Sequence, residues 1–524
     1  VKWILEKTFA VLGRIYSSFM PMRLNDGLVV RDGKVLYLGD ADSVMKISRE
    51  LGAEIINYGK KTIIPGFIDS HMHLNSLGMS LMTLDLRGTK SIDELKLKLR
   101  KFIEGRDKKI VIGRGWDQEL FSEGRWPNAM DLDEAIKDAP VILVRVCGHA
   151  AVMNSAAISL LPEEELKGPY IQKDERGRPT GLVFEDAVGR ALSILGEALD
   201  KREMLRKGSE QAARLGVTSV GFMSAKRADL FALKDMKELE ELKTRVFLYM
   251  DHAEISDSIA SDLKYGTEMV KLNGIKLFAD GSFGARTALL SEPYSDDPST
   301  RGTAVMKEDE LAYWMKYAID RGLQTATHAI GDAALDSVLK AMEISKVKGL
   351  AGRIEHASLV RPDQVDKMRT IGIGVSVQPR FVISDWWLVK RLGKERARYA
   401  YPFKTLINAG LVVGFSTDAP VEPLDPWLSV NAAVGRGEEE RVEIFELTKH
   451  ERLSLAEALH AYTAGSAELL GANDLGKLEI GKRADFVVVN ADPFSGTDLK
   501  TIRVLETYIG GTRVYSATTE NLIF

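Results

Sequence analysis

The stretch "KEDELAYWMKYAIDRGLQTATHAIGDAALDSVLKAMEISKVKGLAGRIEHAS", residues 307–358, runs twice through one cycle: an amphipathic helix, then a short apolar strand. Outward from it the cycle repeats. "EMLRKGSEQAARLG" leads to "VTSVGFM", "RADLFALKDMKELEELK" to "TRVFLYMD" and "EISDSIASDLKYG" to "NGIKLFAD"; further on, "RPDQVDKMRTIG" leads to "IGVSVQP" and "RYAYPFKTLINAG" to "LVVGFSTD". With "TIIPGFIDSHMH" as the first strand, eight strands alternate with helices. Near-continuous apolar strands of this kind belong to a parallel sheet buried on both faces, and eight of them predict an α/β protein with a closed (β/α)8 TIM barrel. The competing fold is an open doubly wound sheet, but no glycine fingerprint for a dinucleotide follows the first strand.

The flanks read differently. Residues 1–63 and 476–524 are short strands and tight turns, such as "GLVVRDGKVLYLGD" around Asp32-Gly33 and "VLETYIGGTRVYS" around Gly510-Gly511. They are expected to pair as one composite β-sandwich domain from both termini. The catalytic barrel then occupies residues 64–475, with an insertion after barrel strand 1 at residues 76–200, where a helix, strands and the turn "KDERGRPTG" break the rhythm.

The ends of the barrel strands carry the chemistry. In "FIDSHMHL", His71 and His73 are two apart and so share one face of a strand. Taken alone, such a pair fits a core histidine with a backbone hydrogen bond as well as it fits a ligand. At later strand ends, however, stand Lys276, His328, His356 and Asp418. Polar groups at the C-terminal ends of apolar strands are costly unless paired or liganded, and at this rim of a barrel they read as catalytic. Imidazole and carboxylate without thiolates suit a catalytic divalent metal, with Zn2+ the best match, one or two ions per chain. Two ions would need an anionic bridge, which carbamylation of Lys276 could supply. Alternatively, Lys276 stays an ammonium that holds an anionic substrate group.

In order along the chain, "PGFIDSHMHL", "KLFADGSFGARTA", "THAIGDAALD", "RIEHAS" and "FSTDAP" resemble the amidohydrolase superfamily of metal-dependent hydrolases, and within it the YtcJ-like branch related to N-substituted formamide deformylases. The resemblance spans nearly the whole chain. It implies that His71 and His73 ligate a first metal with Asp418, that His328 and His356 ligate a second, and that Lys276 takes the bridging position. The insertion contains two further segments resembling this branch, "GRGWDQELF…RWP" and "CGHAAVMNS". From these, His149 is a candidate catalytic group contacting the substrate or stabilising its oxyanion, with a structural hydrogen-bonding role as the alternative, and Trp116 and Asp117 are candidates for the substrate-binding wall, although an aromatic side chain more often belongs to the core. Arg286, in the loop after Lys276, could clamp a substrate carbonyl or carboxylate, or pair with a nearby acid.

Composition narrows the class. The 524 residues are 45% hydrophobic and 28% charged, with a net charge of -4 and no basic stripe. A globular protein with a small-molecule substrate is expected, rather than one that binds nucleic acid or spans a membrane. One cysteine, Cys147, excludes an intrachain disulfide and fits a cytoplasmic location. A homodimer is the prior for such an enzyme. The final "ENLIF" resembles a truncated protease-recognition tag. The expected reaction is hydrolysis of an amide-like C–N bond (N-acyl, N-formyl or cyclic amide) by metal-activated hydroxide, with Asp418 moving the proton. The same site acting on an ester or phosphoester, or without hydrolysis, is the alternative. A metal-free scaffold is the third reading.

Overall fold

The computed structural model describes residues 8–104, 110–196, 199–236, 241–262 and 266–517. The "ENLIF" segment, expected to be tag-derived, lies outside the described residues, as does the beginning of the chain before Thr8.

Eight parallel strands form the predicted barrel: β1 (Phe67–Met72), β2 (Val217–Ala225), β3 (Arg245–Asp251), β4 (Val270–Phe278), β5 (Gln324–Ala329), β6 (Gly352–His356), β7 (Gly374–Val377) and β8 (Val412–Phe415). Each pairs with its sequence neighbour, in the order β8-β7-β6-β5-β4-β3-β2-β1. The seam between β8 and β1 is closed just past the strand ends. There the Asp418 amide donates to the His71 carbonyl at 2.9 Å and the His73 amide to the Ala419 carbonyl at 2.8 Å. The buried Asp69 carboxylate reinforces this closure by accepting the Thr417 hydroxyl at 2.6 Å. The quoted helices are present as Glu308–Ile319 and Asp332–Ser345, whose buried faces carry Leu311 and Met315, and Leu335, Val338 and Met342. They cover the outside of the barrel. Strand alternation drives polar side chains from β1, β3, β6 and β7 into its interior, and burial forces them to bond to one another.

Strands from the two ends of the chain come together in one mixed seven-stranded sheet. The parallel pairing of Thr8–Phe19 with Glu54–Pro65 and the antiparallel pairing of the latter with Phe486–Val489 join N- and C-terminal segments. Bulges in Thr8–Phe19 bend the sheet around Val11, Ile15, Leu28, Ile63, Phe486 and Val488. The predicted hairpin turns are there: Asp32-Gly33 and Gly510-Gly511 all have φ between 51° and 76°, as a type I′ turn requires.

The chain forms two compact units, one made of the residues up to Leu77 with those from Gly208 onward, the other of Gly78–Lys207. The second is built on a six-stranded sheet with an apolar cluster on each face, one around Leu95, Trp116 and Leu143, the other around Ile142, Met153 and Val183. No helix among the described residues is long and apolar enough to cross a membrane.

Candidate metal centre

Four imidazoles meet at the C-terminal rim of the barrel, and each is tied down through one ring nitrogen by an oxygen acceptor. His71 Nδ1 lies 2.5 Å from Glu355 Oε2, His73 Nδ1 3.2 Å from the Met223 carbonyl, and His328 Nε2 2.8 Å from the Gly281 carbonyl. His356 Nδ1 lies 2.7 Å from Gln378 Oε1, whose amide group donates to Ser416 Oγ at 2.8 Å and so fixes which way the side chain points. A carbonyl or carboxylate accepts, so the tied nitrogen carries the proton. The other nitrogen of each ring is left with a lone pair. For two of the rings burial favours the neutral form: it pushes the His328 pKa down to about 3 and, with His328 and His71 nearby, holds His356 well below its usual value.

Asp418 adds a further lone pair to this set. Its Oδ1 lies 3.1 Å from His73 Nε2 and 3.3 Å from His71 Nε2, yet this buried oxygen receives no hydrogen bond. Facing acceptors with no proton between them repel, and the arrangement is stable when a cation takes the lone pairs. One ligand atom each from His71, His356 and Asp418 all fall within 4.8 Å of one another. The residues therefore fit a divalent metal on their own chemistry. The backbone is shaped to the same end: His356 and Asp418 have φ of 74° and 56°, conformations that non-glycine residues adopt at a cost.

Lys276 is buried beside this group, its Nζ 5.0 Å from the Phe278 ring centroid. Burial lowers its pKa to about 8, against the opposing pull of Glu355 and Asp418. Beneath the rim, Glu355 is forked to Arg353 at 2.6 and 2.9 Å, and Arg353 also donates to the Ser70 carbonyl at 2.8 Å. Burial alone would push the Glu355 carboxyl up; the guanidinium outweighs it and holds the group ionised as the acceptor for His71.

A family model described as "Amidohydrolase family" matches residues 54–515. The chain belongs to the amidohydrolase family. A solved structure of an uncharacterized metal-dependent hydrolase from Pyrococcus furiosus is 42% identical, with a TM-score of 0.82 over 93% of this chain and 100% of that one. The YtcJ protein of Bacillus subtilis (strain 168) is 33% identical over 96% of this chain and 98% of its own length. The N-substituted formamide deformylase of Arthrobacter pascens is 25% identical over 94% and 95%. The resemblance read from the motifs is thus confirmed across the chain, and the His, His and Asp cluster is the candidate metal site of a metal-dependent hydrolase.

In this amidohydrolase, the six rim residues expected to gather do so: His71, His73, Lys276, His328, His356 and Asp418 all line one cavity of about 510 Å³. The grouping differs in detail from that implied by the resemblance, because His356 closes a set with His71 and Asp418 as well as standing 4.5 Å, ring to ring, from His328. The remaining candidates have partners of their own. Arg286 does not line the cavity; its guanidinium is held by Asp296 at 3.0 and 3.2 Å, and Asp296 also binds Arg391. The expectation of a wall position for Trp116 is corrected: the ring is fully buried in the core of the insertion, between Phe121 and Trp126, with Nε1 donating to the Leu143 carbonyl at 2.7 Å. Its surface is spent on packing. Asp117 accepts from Arg145 at 2.7 Å and caps the short helix Gln118–Leu120. His149 is exposed on the insertion, with Nδ1 3.1 Å from Glu185.

Sequence reasoning missed Arg353, Glu355 and Gln378. The signal was present in "GRIEHAS": two opposite charges two residues apart on a barrel strand share its inner face, where only a paired, working role repays their desolvation. Gln378, two residues before the segment "RFVIS", carried no comparable mark.

Proposed function

We propose that this protein hydrolyses an amide-like C–N bond in a small-molecule substrate, using one or two Zn2+ ions held at the barrel rim. What carries the reading is the set of four imidazoles at one rim, each held through one ring nitrogen, with Asp418 Oδ1 3.1 Å from His73 Nε2 and 3.3 Å from His71 Nε2. His71, His73, His356 and Asp418 would hold one ion. His328, with Lys276 as a carbamate, would hold a second; the neutral amine adds to carbon dioxide, forming the N–C bond and releasing one proton. A bound divalent ion supplies Lewis acidity that brings the pKa of water towards about 7 and polarises a carbonyl.

The chain's own residues do the rest. Asp418 accepts the proton of the attacking water on its carboxylate and returns it to the departing nitrogen. Glu355 and Arg353 hold the His71 ring in one orientation throughout. The apolar walls from Phe278, Phe283, Ile330 and Phe381 limit the access of bulk water to the reacting group. The choice of a C–N bond is supported by membership of the amidohydrolase family and by the formamide deformylase among the relatives.

The test is a screen of N-formyl, N-acyl, cyclic amide, ester and phosphoester substrates with Zn2+-loaded and chelator-treated protein. Amide turnover confined to the loaded form is the expected result. Ester or phosphoester turnover without amide turnover would replace the proposed bond with another, and equal turnover after chelation would remove the metal from the reaction.

A further inference from the structure

Beyond the rim residues, the cavity wall carries two carboxylates, Asp385 and Glu422. They differ in how their charge is met. Glu422 is buried and paired with Arg380, Nε to Oε2 2.9 Å. Asp385 follows the short helix Phe381–Ser384, and its Oδ2 accepts the hydroxyl of buried Tyr401 at 2.5 Å. That donor is neutral. Among the described residues Asp385 forms no ion pair, and the charge that acts on it, Glu422, has the same sign. A carboxylate partly withdrawn from water with one neutral donor is left short of partners, and its cost is relieved by a cation arriving with the ligand. Burial and Glu422 together raise its pKa to about 6, so at neutral pH it is still mostly ionised. The apolar part of the same cavity's lining is Phe278, Phe283, Ile330, Phe381 and Val421, beside the hydroxyl residues Ser282, Ser358 and Ser384. Pockets lined in this way set orientation through a few polar groups on an otherwise apolar wall.

We propose that Asp385 is the specificity-determining group of this cavity, and that the substrate reaches it with a positively charged nitrogen carried on an apolar arm. The inference rests on the reading that an amide-like bond is cleaved at the metal centre; it adds the class of substrate. Tyr401 is a positioning residue, fixing the carboxylate through its hydroxyl. Glu422 is occupied by Arg380 and does not compete for the cation.

Two probes of equal shape separate charge from fit: N-[4-(aminomethyl)benzyl]formamide, which is cationic at pH 8, and N-(4-ethylbenzyl)formamide, which is neutral. With Zn2+-loaded wild-type protein, kcat/KM is expected to favour the cationic probe by about tenfold to a hundredfold, the range of a charge-assisted contact, mainly through KM. Asp385→Asn keeps an acceptor for Tyr401 and should bring the two probes within about twofold. Asp385→Glu retains the charge and should restore a preference. Affinities of both probes for each protein, measured by titration calorimetry, should follow the same order whether or not turnover occurs. Equal handling of the two probes by wild type, or a preference that survives in Asp385→Asn, would overturn the assignment while leaving amide hydrolysis standing. Tighter, Asp385-dependent binding of the cationic probe without hydrolysis of either would support the subsite and overturn the amide reading.

Discussion

Glu355 and His71 are joined by a 2.5 Å contact between Oε2 and Nδ1, with both side chains fully buried and the carboxylate forked to Arg353. A ring fixed this way presents Nε2 to the cavity in one tautomer and one orientation, which is what a metal ligand needs before the metal arrives.

Glu355→Gln is expected to weaken metal binding by about 10- to 100-fold, since the amide is a poorer acceptor and can turn the wrong group to His71. It also leaves the Arg353 guanidinium buried without its counter-charge, at a cost of about 3–5 kcal/mol. Competition with a fluorescent chelator and a thermal melt read the two effects; unchanged affinity would detach Glu355 from the metal site.

Asp418→Asn should fold normally, by circular dichroism, and lose about 10²- to 10⁴-fold in kcat, the usual contribution of a positioned proton carrier. Near-normal turnover would remove Asp418 from the proton path.

Lys276→Ala distinguishes the two roles of the lysine. If the carbamate bridges two ions, metal analysis should show the variant holding about one ion where wild type loaded in bicarbonate holds about two. An ammonium in that position predicts the same stoichiometry in both.

Asp385 also makes a prediction about pH. Its pKa rises from the usual carboxylate range to about 6 in the folded protein, so between about pH 4 and pH 6 the folded state keeps a proton that the unfolded chain has released. Folding stability contributed by this group therefore falls as pH rises through that window. Asp385→Asn should match wild type near pH 4 and exceed it by on the order of 2 kcal/mol at pH 7.5 in metal-free protein. Paired thermal melts at the two pH values read the gap; a gap of the opposite sign would mean the carboxylate is stabilised, not strained, in its pocket.

Trp116→Ala should behave as a core truncation. It removes a fully buried indole and its bond to Leu143, a loss of about 3–5 kcal/mol that falls on the insertion. Metal affinity at the barrel rim should be unchanged, as chelator competition would show.

The barrel was legible because eight helix-and-strand cycles leave few other ways to bury that many apolar strands. The rim ligands were legible for a related reason: His328 or Asp418 at the end of an apolar strand is an expense without a purpose unless it binds something. Sequence could not say which ring nitrogen of each histidine is committed, because that depends on partners such as Met223 and Gly281 contributing only backbone oxygens. Nor could it separate Trp116 from a cavity wall, since an indole in a glycine-rich stretch has the same pattern whether it points to a ligand or into a core. Asp385 in "FVISDWW" was equally silent, its meaning resting on a tyrosine 16 residues away.

The seam where β8 meets β1 has a bearing on how the protein matures. Thr417 and Asp69 are 348 residues apart along the chain, and the proposed ligands His71 and Asp418 close the same junction. A ribosome has to release almost the entire barrel before these groups can meet. An ion held by both would therefore not be a nucleus around which the nascent chain organises. Metal loading would be a late event, made at a finished rim, and expression in metal-poor medium should give a folded protein able to take up metal afterwards.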